Sequence, residues 1–199
     1  LERQRRQRPQ VLLVPEHASH EAELDLCRAL GDTASRDGEV LSFQSLATRV
    51  LSQTGGISDI TLDNGGKILI MRRALQEVSS YLTVFSKPSQ RPAFLRELVA
   101  LADELYAYKI APSLLLQQVQ DIPGAAGDKL RSTALLFGAY DARLQGGDFD
   151  ARSKVQKLCD KLPNSDYLCG KDIYIDGFSY FNRTEEDIIA AALKQANSV

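Results

Sequence analysis

Val11-Leu12-Leu13-Val14-Pro15 is a short apolar run closed by a proline, and the residues after it decide the fold. The run reads as a strand, because Pro15 has no N–H with which to continue a ladder. Downstream, Leu24, Leu26, Cys27 and Leu30 lie along an amphipathic stretch that stops at Gly31. The unit is strand, short loop, helix, and it repeats. Glu39-Val40-Leu41-Ser42-Phe43 forms the second strand, after which Leu46, Val50 and Leu51 fall at helical spacing up to the break at Gly55-Gly56.

Between Leu62 and Pro163 the pattern changes to helices. One stripe runs through Leu95, Leu98, Leu101, Leu105 and Tyr108, and another through Leu130, Leu135, Leu136, Ala139 and Leu144. Pro88, Pro92, Pro112 and Pro123-Gly124 punctuate them, and a shorter segment carries Val155, Leu158 and Leu162. The β signal returns as Ile173-Tyr174-Ile175-Asp176, closed by Gly177, and a last helix fits Glu185 to Ala196. Strands alternating with helices at both ends imply a parallel sheet, and the helical middle implies an insertion between its strands. The expected fold is α/β: a partial RecA-like sheet from residues 1–61 and 164–199, with an all-helical subdomain at 62–163.

With 199 residues, 44% of them hydrophobic, the chain can build a sizeable core. No stretch approaches the roughly 20 apolar residues that span a bilayer, and the arginine-rich start, Leu1 to Gln10, has no apolar run behind it. A cytoplasmic protein is expected. Opening on Leu1 suggests a piece of a longer polypeptide. Cys27, Cys159 and Cys169 are an odd set without C-x-x-C spacing, which argues for reduced thiols over a disulfide framework or a zinc site. A net charge of -2 excludes attachment to nucleic acid by bulk charge; any contact must be local or made by stacking.

Asp176 ends an apolar strand in the manner of the magnesium-positioning carboxylate of P-loop NTPases, although Asp-Gly is also a common turn. In ATP-hydrolysing helicases a glutamate follows this aspartate and orients the attacking water; here Gly177 follows. A phosphate loop needs G-x-x-x-x-G-K-[ST] directly after a strand. Gly65-Gly66-Lys67 is followed by Ile68, has Thr61 at the first glycine's place, and opens a helix that no strand feeds. Arg3, Arg5, Arg6 and Arg8 can reach phosphate or simply form a solvated face. His17 and His20 share a helical spacing, but no nearby acid or cysteine completes a metal site.

Three segments, in order, resemble the B subunit of the AddAB (RexAB) helicase–nuclease. Val11 to Ser19 (VLLVPEHAS) resembles its "LVP-acidic-Gln-x-Thr" segment. Val40 to Leu51 (VLSFQSLATRVL) is similar to "V-x-SF-x-RLA-x-RVL", with Thr54-Gly55-Gly56 following. Ile173-Tyr174-Ile175-Asp176-Gly177-Phe178 with Phe181 and Glu185 resembles "IYVDGF-x-x-F-x-x-x-E".

The resemblance implies a degenerate superfamily 1 helicase fold of bacterial origin, acting in end resection during double-strand break repair. It implies an AddA/RexA-type partner that supplies the ATP- and magnesium-dependent motor. It also implies an iron–sulfur nuclease domain that has no counterpart in these residues, so no cofactor is expected here. Single-stranded or unwound DNA, scanned for the regulatory Chi sequence, is the implied ligand. Its contacts map onto His17, Ser19, Phe43, Ser45 and Thr48, where family members often carry Gln, Thr, Phe, Arg and Trp. Only the phenylalanine is kept. Ser45 lacks the guanidinium and Thr48 the stacking face, which argues against the usual Chi recognition but not against strand binding. Asp176 and Gly177 map onto the degenerate magnesium-binding motif. Two other readings stay open: a true helicase motor separated from its phosphate loop, and a helical interaction scaffold unrelated to DNA.

Overall fold

The computed structural model describes residues 9–31, 38–55, 62–85, 91–119, 121–146 and 153–199. In chain order its elements are β1 (Gln10–Leu13), α1 (Ser19–Leu30), β2 (Gly38–Leu41), α2 (Phe43–Thr54), α3 (Asn64–Val78), α4 (Pro92–Ala107), α5 (Pro112–Gln118), α6 (Gly124–Gln145), α7 (Lys154–Lys161), β3 (Asp172–Ile175) and α8 (Arg183–Gln195). They fall into two compact units: Leu1–Ser58 together with Arg152–Val199, and Asp59–Ala151.

The first unit is α/β. Its three strands pair in parallel in the order β2-β1-β3, so β1 is central and chain-distant β3 lies beside it. The ladder aligns Val11 with Glu39 and Ile173, and Leu13 with Leu41 and Ile175. Side chains alternate across a strand, so Val11, Leu13, Leu41 and Ile173 share one face. That face is covered by Leu46, Val50 and Leu51 of α2, Leu158 of α7 and Ile188 of α8, all buried in one cluster. Beyond β3, the Ile173 N–H donates to the Ser198 carbonyl (2.8 Å), and Asn197 N–H donates to the Lys171 carbonyl (2.9 Å). Buried Asp172 anchors this pairing by accepting from Asn197 Nδ2 (2.6 Å) and Ser198 Oγ (2.7 Å).

Two expectations change. The second strand stops at Leu41, and Phe43 is the first residue of α2, because Ser42 caps the helix by accepting from Ser45 N–H at 3.1 Å. The Val155–Leu162 segment, which by its period belongs to the helical middle, packs in the sheet's unit. Leu158 and Leu162 are fully buried against the α2 and α8 side chains, and the Ser153–Gln156 capping box starts α7 at that place.

The second unit is helical throughout its described residues. Met71, Ala74 and Leu75 of α3 pack with Leu95, Leu98, Val99 and Ala102 of α4 and with Leu136, Phe137, Tyr140 and Leu144 of α6. The buried stripe of α4 thus turns toward Val99 and Ala102, leaving Leu101 39% and Tyr108 40% exposed. Between α5 and α6 the backbone passes so close that a Cβ on Gly127 would overlap the Ile122 carbonyl oxygen, which also accepts from Arg131 at 3.0 Å. Burial, and then the hydrogen bond it donates to Asp141 (2.6 Å), hold the Tyr106 phenol well above its usual range, so it stays a donor. No described helix is long and apolar enough to cross a membrane.

Leu158 is fully buried in the first unit's core. Leu158→Ala is expected to cost about 2–5 kcal/mol, read as a lower urea midpoint with an unchanged slope.

Candidate nucleic-acid interface

Because the three strands run the same way, the segments that leave β1, β2 and β3 emerge at one end of the sheet. After β1 the chain turns through Pro15 into a 3-10 turn, Glu16–Ala18, and then into α1. Ser19 Oγ closes this turn by donating to the Glu16 carbonyl at 2.6 Å. His17 stands exposed on it, and His20 is exposed on the first turn of α1. After β2, Ser42 is buried as the cap of α2, and its hydroxyl lies 3.2 Å from that of Ser45. Thr48 follows on the exposed side of α2, its hydroxyl donating to the Gln44 carbonyl at 3.0 Å.

The segment after β3 is tied to the other two. Gly177 has φ +78°, a backbone state that L side chains rarely adopt, and a Cβ there would stand 3.3 Å from Pro15 Cδ. Phe178 and Phe181 then close on Phe43, with ring centroids at 5.5 and 6.5 Å and edge-on geometry, and lie 5.0 Å from each other. The Asn182–Glu185 capping box ends the segment by starting α8.

Of the residues read from sequence, Phe43 is 5% exposed and forms the centre of this aromatic cluster, so in this geometry it presents no open face for a base. His17 and Thr48 are exposed, and Ser19 and Ser45 are half-buried. Asp176 is exposed and accepts from the Gly177 N–H at 2.8 Å. One residue that sequence reading passes over stands out. Tyr180 is 74% exposed, in a segment pinned on either side by Phe178 and Phe181. It occupies an unspecified position of the resembled motif, and its exposure follows only from the burial of the two phenylalanines around it.

Among the described residues, Gly65-Gly66-Lys67 is built as a helix start and not as a phosphate loop. Gly65, Gly66 and Lys67 open α3 in the second unit, where Asp63 caps the helix by accepting from Gly66 N–H (2.7 Å). Lys67 is held by Asp103 at 2.7 Å, so neither the amide nor the ammonium is free to cradle phosphate. Among the described residues no group of histidine, cysteine, aspartate and glutamate is arranged to hold a metal ion. Cys27 and Cys169 are exposed and Cys159 is half-buried, and none of the three forms a disulfide. The arginines Arg3, Arg5, Arg6 and Arg8 lie outside the described residues.

This architecture, a small parallel sheet with its connecting segments gathered at one end, is that of an α/β protein. Its whole sequence, residues 1–199, matches the family described as ADDB, N-terminal. The chain belongs to that family. It is 35% identical over 193 residues to the B subunit of the ATP-dependent helicase/deoxyribonuclease of Desulforamulus reducens, covering 95% of this chain and 17% of that protein. The protein of the same description from Clostridioides difficile is 30% identical over 197 residues, again covering 95% and 17%. The chain therefore spans about 17% of the length of the curated relatives it matches.

Gly177 is held by its own backbone as well as by Pro15, so a glutamate cannot simply be restored there. Gly177→Glu is expected to lower stability by about 1–2 kcal/mol in chemical denaturation, the usual cost of a side chain in a left-handed conformation, and to bring no ATPase activity.

Proposed function

We propose that this chain is a DNA-binding module with a degenerate RecA-like fold, and that it does not itself hydrolyse ATP. It serves within a B subunit that works with an A-type helicase–nuclease partner in resecting broken DNA ends. The observation that carries this reading is the meeting of the segments after β1 and β3 at the carboxyl end of a parallel sheet, where open α/β sheets take their ligands. The relatives are described as B subunits of a helicase/deoxyribonuclease, which supports DNA as the ligand and an A subunit as the partner.

The chemistry of that end favours a single strand. Glu16 and Asp176 are exposed there alongside His17, so the surface has no strong positive field to hold duplex phosphates. What it offers is an exposed aromatic, Tyr180, and small hydroxyl side chains, Ser19 and Ser45. An aromatic face is the sequence-tolerant platform on which unpaired bases stack. Phe43 contributes indirectly, by seating the segment that carries Tyr180. With a serine at position 45 and a threonine at 48, scanning for a Chi sequence would rest on contacts other than an arginine and a tryptophan. A hydrolysing motor is disfavoured by Gly177, which supplies no carboxylate to orient water.

The test is binding of a fluorescent single-stranded oligonucleotide across a salt series, with phosphate release measured in parallel. Expected are strand binding without DNA-stimulated turnover, and a loss of about 1–3 kcal/mol of affinity in Tyr180→Ala with an unchanged melting temperature. Turnover abolished by Asp176→Ala, or wild-type affinity in Tyr180→Ala, would overturn the corresponding part of the reading.

A further inference from the structure

Gly66 has a packing role in the second unit. Leu62 precedes the cap residue Asp63 and folds back over the first turn of α3, where a Cβ on Gly66 would overlap its Cδ1. With no side chain at 66, Leu62 continues the apolar surface of Leu69 and Ile70, and together they floor a cleft of about 500 Å³. Arg72, Arg73 and Gln76 form its rim, three, four and seven residues after Leu69, so they share its side of α3. This side is turned away from the core, which takes Met71, Ala74 and Leu75, and it leaves Leu69 62% exposed.

The arginines of the rim are charged outward. Lys67 is held by Asp103 and Glu77 by Arg143, while Asp63 accepts from the Gly66 N–H. Among the described residues no acid pairs with Arg72 or Arg73, and those that line the cleft include no acid. Two uncompensated cations therefore stand together on a chain whose net charge is -2. An aliphatic floor offers a nucleobase no aromatic face, so exposed leucine beside unpaired arginine fits a polypeptide better than a strand of DNA.

We propose that this side of α3 docks an acidic amphipathic helix of the A-type subunit. Its apolar side chains would seat on Leu62, Leu69 and Ile70, and its carboxylates would pair with Arg72 and Arg73. The proposal rests on the reading that the chain works beside such a subunit, and adds the place and the chemistry of the contact. A helix is the form that fits, because Leu69, Arg73 and Gln76 lie along one line of α3, and a second helix laid on that line presents side chains at matching intervals. Burial on the aliphatic floor supplies the attraction, and the fork geometry of arginine with carboxylate sets the register.

The test is the affinity of the full-length subunit that carries these residues for its A-type partner, measured by biolayer interferometry across a salt series, beside oligonucleotide binding and thermal melting. In Leu69→Glu the new carboxylate stands four residues before Arg73, so it removes the apolar contact and occupies the arginine. That variant and the double variant Arg72→Glu, Arg73→Glu are each expected to weaken the complex at least about 10-fold, with unchanged melting temperature and strand affinity. Leu69→Met is expected to stay within about 2-fold of the unaltered protein. The fall in affinity with rising salt is expected to be shallower in the double variant. A complex that both variants leave intact overturns the proposal, as does a loss confined to strand affinity, since the occupant would then be DNA. If the unaltered subunit forms no complex at all, the reading of an A-type partner falls, and this proposal with it.

Discussion

The parallel pairing of β1 with β3 is the contact on which the rest of the first unit depends. Asp172 N–H donates to the Pro9 carbonyl at 3.1 Å and Asp176 N–H to that of Leu13 at 3.0 Å, joining strands separated in sequence by the whole helical unit. Closing a loop of that length costs entropy that grows only slowly with its size, so a helical unit can sit between the strands without forbidding their pairing. The pairing must still be supported by burial. Leu158, Leu162 and Ile188, all from segments flanking β3, bury the face that β1 and β3 present together.

From that pairing follows the geometry of the proposed DNA-binding end. With β3 beside β1, the chain leaving Ile175 is brought to Pro15, and the glycine at 177 lets it turn without a side chain striking that ring. Phe178 and Phe181 then find Phe43 across the start of α2. The three phenylalanines form one cluster, so the segments after β2 and β3 are held together by packing at the place where a ligand would arrive. A surface fixed in this way loses less conformational entropy on binding than a mobile one.

Much of this is legible in the sequence, and the failures have physical causes. The strand runs at Val11 and Ile173 are plain because four apolar or aromatic residues closed by Pro15 or by Asp176-Gly177 leave few alternatives. Phe43 reads as the last residue of a strand, because a phenylalanine after Val40-Leu41-Ser42 continues the β pattern; only the capping role of Ser42 shows that the helix has begun. The short segment around Leu158 groups with the neighbouring helices because its period matches theirs. Periodicity tells that a face is buried, not against what. Tyr180 carries no signal of its own, since its exposure is a consequence of how its neighbours pack.

In the proposed function, unpaired DNA meets this chain at the carboxyl end of the sheet. The most direct measurement is photo-crosslinking of a single-stranded oligonucleotide containing 4-thiothymidine, followed by mass-spectrometric mapping of the attached residues. Crosslinks are expected to concentrate in residues 15–20 and 176–182, with Tyr180 among them. Crosslinks confined to residues 59–151, or spread evenly over the surface, would contradict it.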